Sequence, residues 1–198
     1  MLLCALSSDA LAYEPVGIGL HAGADWVVND PFIKRRGLHV GLEYAPVPVF
    51  SAGILLAGYP DLGQADWKPL TTQLVEENQV SPDLSRVMAR GELVARFTPI
   101  RREGEHIATN VGLHVGFGAV RTKDDLTAMQ AENDPVALST QIELHPTLLY
   151  GLTAELRTDY VVGLRVRAEH LLYVETVNGT TLERKNNRFF GLELTAWL

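Results

Sequence analysis

From Val16 to Trp26 every second residue is apolar: Val16, Ile18, Leu20, Ala22, Ala24 and Trp26 alternate with Gly17, Gly19, His21, Gly23 and Asp25. A β-strand sends successive side chains to opposite faces, so this alternation predicts a strand with one apolar and one polar face. The pattern recurs along the chain. It sets Leu38, Val40, Leu42 and Tyr44 against His39, Gly41 and Glu43, then Val87, Ala89, Leu93, Ala95 and Phe97 against Arg90, Glu92 and Arg96. A further segment sets Ile107, Val111, Leu113, Val115 and Phe117 against His106, Asn110, Gly112, His114, Gly116 and Gly118. Next come Ile142, Leu144, Leu148 and Tyr150 opposite Gln141, Glu143 and His145, and Val162, Leu164, Val166 and Ala168 opposite Gly163, Arg165, Arg167 and Glu169. The last has Phe190, Leu192, Leu194, Ala196 and Leu198 opposite Gly191, Glu193 and Thr195. Phe50 to Gly58 is apolar on both faces, with Phe50, Ala52, Ile54 and Leu56 fitting one side. The expectation is an all-β chain of about eight strands, with a bulge or an early strand end at Pro146, because proline cannot donate to a ladder.

The predicted connections alternate in length. Pro46 to Pro48, Pro99 to Gly104 and Gly151 to Asp159 are short turns on the side that also holds both chain ends. Asn29 to Arg36, Pro60 to Arg86, Arg121 to Val136 and a hairpin with an Asn178-Gly179 tip lie on the other side. The Pro60 to Arg86 excursion mixes Leu70, Leu74, Val75, Val80 and Leu84 with Glu76, Glu77 and Asp83, which leaves room for a short helix or a partner-binding loop.

At 198 residues the chain is long enough for one domain, and a net charge of -7 argues against nucleic-acid binding, which needs a concentrated basic surface. The single cysteine, Cys4, removes disulfides and thiolate metal sites from the rest of the chain. Residues 1–12, MLLCALSSDALA, join a short apolar piece to an Ala10-Leu11-Ala12 site of the kind signal peptidase accepts. This segment is expected to be the remnant of a cleavable signal peptide, with the barrel occupying 13–198.

Alternation alone does not say which face is inside, since a soluble exported lipocalin-like barrel would bury the apolar one. Three features favour an inside-out arrangement. The polar face is crowded with glycine, which suits the narrow lumen of a small barrel. Lys34, Lys68, Lys123 and Lys185 fall in or beside the predicted outer loops. The apolar-face aromatics Trp26, Tyr44, Phe50, Phe97 and Tyr150 gather near strand ends, as in a girdle at a membrane boundary. The expected fold is therefore an antiparallel up-and-down transmembrane β-barrel.

On these strands the chain resembles the small eight-stranded bacterial outer-membrane proteins, the class of the OmpA transmembrane domain, from about Val16 to Leu198. Its last segment, Phe190 to Leu198, is similar to the terminal strand read by the barrel assembly machinery in that class, but ends in leucine after Trp197 rather than in phenylalanine. The resemblance implies residence in the bacterial outer membrane, with membrane lipids and lipopolysaccharide as surroundings, the assembly machinery as a partner during biogenesis, and an envelope protein partner at the outer loops.

The lumen is expected to hold a polar network of Asp25, His39, Glu43, Arg90, Glu92, Arg96, His114, Glu143, Arg165, Arg167, Glu169 and Glu193. Charges sealed in a barrel must be paired, and interleaved arginine, glutamate and histidine do that. His21, His106 and His145 share the same parity. No His-Glu-x-x-His or similar spacing points to a metal, and no cofactor is expected. His170 alone lies on the opposite parity, with Thr140 expected at similar height on the neighbouring strand, a pair that would suit a lipid-modifying enzyme if an acidic orienter were present. The leading expectation is a non-enzymatic barrel with a packed polar lumen, acting as a structural anchor, an adhesin or a subunit of an envelope complex. A lipid-modifying enzyme or narrow channel is the alternative.

Overall fold

A computed structural model describes residues 17–28, 36–60, 82–129, 135–158, 161–177 and 181–198. Among them lie eight strands: β1 (Gly17–Val27), β2 (Arg36–Val47), β3 (Phe50–Tyr59), β4 (Pro82–Glu103), β5 (Ile107–Met129), β6 (Pro135–Thr158), β7 (Val162–Val177) and β8 (Thr181–Trp197). Each pairs antiparallel with its neighbours in sequence, and β1 pairs with β8 to close the barrel. The predicted export segment 1–12, Lys34, Lys68, most of the Pro60 to Arg86 excursion and the Asn178-Gly179 tip lie outside the described residues.

The wall is oriented with its aliphatic side chains outward. Leu194 is 65% exposed and Leu144 72%, while Arg165 is 1% exposed and Arg167 2%. A lipocalin-like barrel would show the reverse, so the soluble alternative is overturned. An outward sheet of Leu, Val, Ile and Phe is stable only against acyl chains, and a closed ladder leaves no backbone group unpaired there.

Several predicted turns are strand. β4 runs through Pro99 to Glu103 with a register shift between Phe97 and Ile100, which absorbs the missing proline N–H. β6 continues from Gly151 to Thr158, because Leu152, Ala154 and Leu156 still alternate with Thr153, Glu155 and Arg157. His106, expected on the lumen face, sits instead in the exposed bend before β5. At the other end, most of the predicted Arg121 to Val136 loop is strand. β5 reaches Met129 and β6 begins at Pro135. Above a membrane both faces of a sheet meet water, so strands there need no apolar face and give no period-two signal.

Pro146 causes neither a bulge nor a strand end. It pairs with Ala119 of β5 in continuous register, and the β6–β7 ladder instead stops one residue short of it, at Thr147 opposite Tyr173. The proline's missing donor thus lies on a seam that has already parted. Beyond that point β4, β5 and β6 form a separate sheet, and β7 and β8 continue as a hairpin to Val177 opposite Thr181.

Leu194 lies near the middle of the outward wall, opposite Leu164 on β7 and Ala22 on β1. Leu194→Arg is expected to destabilise the barrel by about 2–4 kcal/mol, the cost of arginine at the bilayer midplane. Urea titration of protein folded in lipid vesicles measures it.

Candidate functional site

Among the described residues the lumen is the most chemically dense part of the molecule, because every strand but β3, which is apolar on both faces, turns its polar parity inward. Arg165 of β7 stands at its centre. Its Nη1 donates to Glu43 Oε2 of β2 at 3.1 Å and to Glu193 Oε1 of β8 at 3.3 Å, and its Nη2 donates to both Glu155 oxygens of β6 at 3.3 Å. Arg96 Nη1 donates to Glu43 at 2.6 and 2.5 Å, and Ser51 donates to the same carboxylate. Below, Arg157 donates to Glu155 at 2.8 Å and lies 4.1 Å from the centre of the Trp197 ring, while Thr195 donates to Glu155 at 2.7 Å.

A second cluster surrounds Asp25 of β1. It accepts from Arg167 Nη2 at 2.9 Å and from the Tyr59 hydroxyl at 2.6 Å. Arg90 donates to Glu169 at 2.9 Å, Arg167 donates to the same group, and His114 Nε2 lies 3.1 Å from it. Glu92 sits 3.9 Å from Arg90. Glu193 joins the clusters, lying 3.5 Å from Arg167 Nε. The structure therefore brings Asp25, His39, Glu43, Arg90, Glu92, Arg96, His114, Arg165, Arg167, Glu169 and Glu193 into one connected set. Glu143 stands apart, higher on β6 beside His145, whose Nε2 is 3.3 Å away.

Close approach needs small residues. A Cβ at Gly41 would come within 2.2 Å of the His21 ring, and one at Gly191 within 2.6 Å of Asp25 Oδ1. Gly41 and Gly191 are thus spaces for the polar side chains beside them, whereas at Gly23 and Gly118 it is the neighbouring backbone that leaves no room for a Cβ.

His21 Nδ1 and His39 Nε2 lie 2.7 and 3.1 Å from Glu193 Oε2, and His39 Nδ1 lies 3.0 Å from Asp25. These ligating atoms of His21, His39 and Glu193 fall within 4.8 Å of one another, close enough to surround a cation. The guanidinium groups of Arg165 and Arg167, 3.3 and 3.5 Å from the other Glu193 oxygen, oppose an added positive charge there.

One layer was missed in the sequence. Two residues outward from Asp25, Arg90 and Glu169, the inward side chains become Val27, Met88 and Leu171, which pack with Tyr59, Val120, Leu149, Tyr173 and Phe189 into an apolar stratum over the ions. The signal was present in the doublets Leu148-Leu149, Leu171-Leu172 and Phe189-Phe190, where both parities turn apolar. Cavities among the lumen side chains, beside His21 and beside Arg157, measure about 20 Å³ each, room for roughly one water.

On the outer wall His170 stacks on Tyr150 at 5.1 Å and 7°, and its Nδ1 is 3.2 Å from Asn186 Oδ1. Thr140 is not at its height, since His170 pairs with Tyr150, ten residues along β6 from Thr140. Its same-face neighbours on β7 are Ala168 and Leu172, neither of which is a nucleophile. Tyr44, Phe50 and Phe97 face outward near the short-turn end, and Trp26 and Tyr150 face outward nearer the opposite one.

No family model matches this chain, and no curated protein matches it by sequence. Its fold does match solved structures. The N-terminal β-barrel domain of Pseudomonas aeruginosa OprF superposes with a TM-score of 0.54 at 8% identity, covering 91% of this chain and 96% of that one. A major outer membrane protein from Thermus thermophilus gives 0.53 at 10%, covering 91% and 99%. Ail, the attachment invasion locus protein of Yersinia pestis, gives 0.51 at 11%, covering 92% and 97%. The fold and its outward apolar wall define an eight-stranded transmembrane β-barrel, the fold that these bacterial outer-membrane proteins share.

Arg165→Met would leave three buried carboxylates without their shared partner. We expect a loss of about 3–5 kcal/mol, read as a lower urea midpoint of the folded band in unboiled gels, against near-parental stability for an exposed control such as Arg102→Met.

Proposed function

We propose that this protein is a closed, non-catalytic anchor in the bacterial outer membrane that presents the free edge of its projecting β4–β6 sheet to an extracellular protein partner. The observation that carries this reading is strand length. β3 ends at Tyr59 opposite Met88, whereas β4, β5 and β6 continue six to eight residues further. At ~3.3 Å per residue that is a projection of roughly 20–26 Å.

Above Thr147 the β7 side of β6 has no ladder partner among the described residues, so the alternate backbone donors and acceptors between 135 and 145 that point away from β5 lie along an edge. An open edge binds an extended segment by adding a strand, with main-chain hydrogen bonds supplying affinity. The short-turn end faces the periplasm in barrels of this class, which puts the projecting sheet outside the cell. The fold shared with Ail, an attachment protein by its name, supports the same reading. The filled lumen supports anchoring over conduction, and the surroundings of His170 support a non-catalytic wall.

Replacing residues 124–141 with Asn-Gly removes the projecting part of β5 and β6 while leaving the barrel ladder intact. Cells displaying this variant are expected to fall to background attachment on serum-protein-coated surfaces, with heat-modifiable gel migration retained. Attachment equal to the parent would overturn the proposal. Planar bilayers containing the purified barrel should show no steady current.

A further inference from the structure

Across the outward wall runs an apolar trough of about 950 Å³, reaching from β1 to β5. Its floor follows one hydrogen-bonding row, in which Trp26, Phe190, Ala168, Leu152 and Leu113 succeed one another over five strands. The depression exists because Ala168 contributes a single carbon between bulkier neighbours. Strands of a barrel are tilted, so a row perpendicular to them descends from the outer rim at Trp26 toward the bilayer interior at Leu113. A narrow, apolar, descending channel has the shape of one lipid chain.

The row just above the floor brings polar groups in on β7 and β8. It holds Arg188, whose carbonyl accepts from Val28 N, and His170, held by its stack on Tyr150 and its contact with Asn186. The outward positions of β8 above Phe190 are Arg188, Asn186 and Arg184, all exposed, and Arg36 of β2 stands opposite Trp26. Arg188 thus lines the trough on β8, and Arg36 stands beyond its Trp26 end on β2, the two strands that flank β1 and that lie about 10 Å apart at ~4.8 Å per strand. Arginine matches phosphate through paired donors, and two separated cations match a headgroup with more than one phosphate better than a headgroup whose single phosphate is offset by an amine.

We propose that this trough is a seat for one lipopolysaccharide molecule, with an acyl chain of its lipid A along the Trp26 to Leu113 row, one lipid A phosphate on Arg188 and the other toward Arg36. The site rests on the outer-membrane placement of the barrel and is independent of what the projecting sheet binds. It distinguishes a lipid held in register from the lipids that merely surround the wall, because here a chain-sized recess meets Arg188 at its edge and Arg36 beyond its Trp26 end.

Native mass spectrometry of the full chain, refolded in detergent and titrated with purified lipid A, tests it. One lipid A per barrel is expected, with phosphatidylethanolamine and dephosphorylated lipid A each held about tenfold more weakly, the equivalent of one lost charge-assisted contact. Arg188→Ala should reproduce that tenfold loss for lipid A. Ala168→Phe should displace the chain by filling the floor from the exposed side, where the barrel interior is untouched. Heat-modifiable migration reports separately whether each variant is a folded membrane barrel. Equal retention of phosphatidylethanolamine and lipid A, or parental lipid A binding by both variants, would overturn the assignment.

Discussion

Arg165 of β7 ties its two neighbouring strands, β6 and β8, to β2, which is distant in sequence. Its guanidinium bridges Glu43 on β2, Glu155 on β6 and Glu193 on β8 while the side chain itself is 1% exposed. Taking a guanidinium and three carboxylates out of water costs several kcal/mol per ion, and only dense mutual pairing offsets that cost. Around this residue the rest of the lumen is forced into place: Arg96 and Arg157 supply the remaining charge for Glu43 and Glu155, and Arg167 connects Glu193 to the Asp25 cluster.

The apolar stratum of Tyr59, Met88, Val120, Leu149, Leu171 and Phe189 completes this arrangement. It lies between the ions and the outer mouth and is itself buried, which shields the pairs from that side and lowers the effective dielectric around them. A lumen filled by ions below and aliphatics above is a plug. That is why the proposed binding surfaces lie on the rim and the wall rather than in the interior.

The two outward-facing features have different physical origins. The projecting sheet exists because β4, β5 and β6 outrun their neighbours and because Pro146 marks where β6 and β7 part. The trough exists because small Ala168 lies among aromatics on a tilted row, beneath arginines that end the apolar wall. In the proposed roles one would address the medium outside the cell and the other the leaflet beneath it, and neither draws on the ion network.

Much of this was legible in the order of residues. Alternation is a local property, so the wall's two faces, the inward parity of Arg165 and Arg167, the outward parity of His170 and the paired aromatic ends could all be read from neighbours two positions apart. Strand limits at the short-turn end were misplaced where prolines and glycine suggested turns, as at Pro99 and Gly151, and the projecting strands were invisible because water on both faces erases the pattern. What tertiary structure alone decided is partnership. Arg165 and Glu43 lie 122 residues apart, and whether they meet depends on the registers of β2, β7 and β8 and the stagger on closure, quantities that no local window contains.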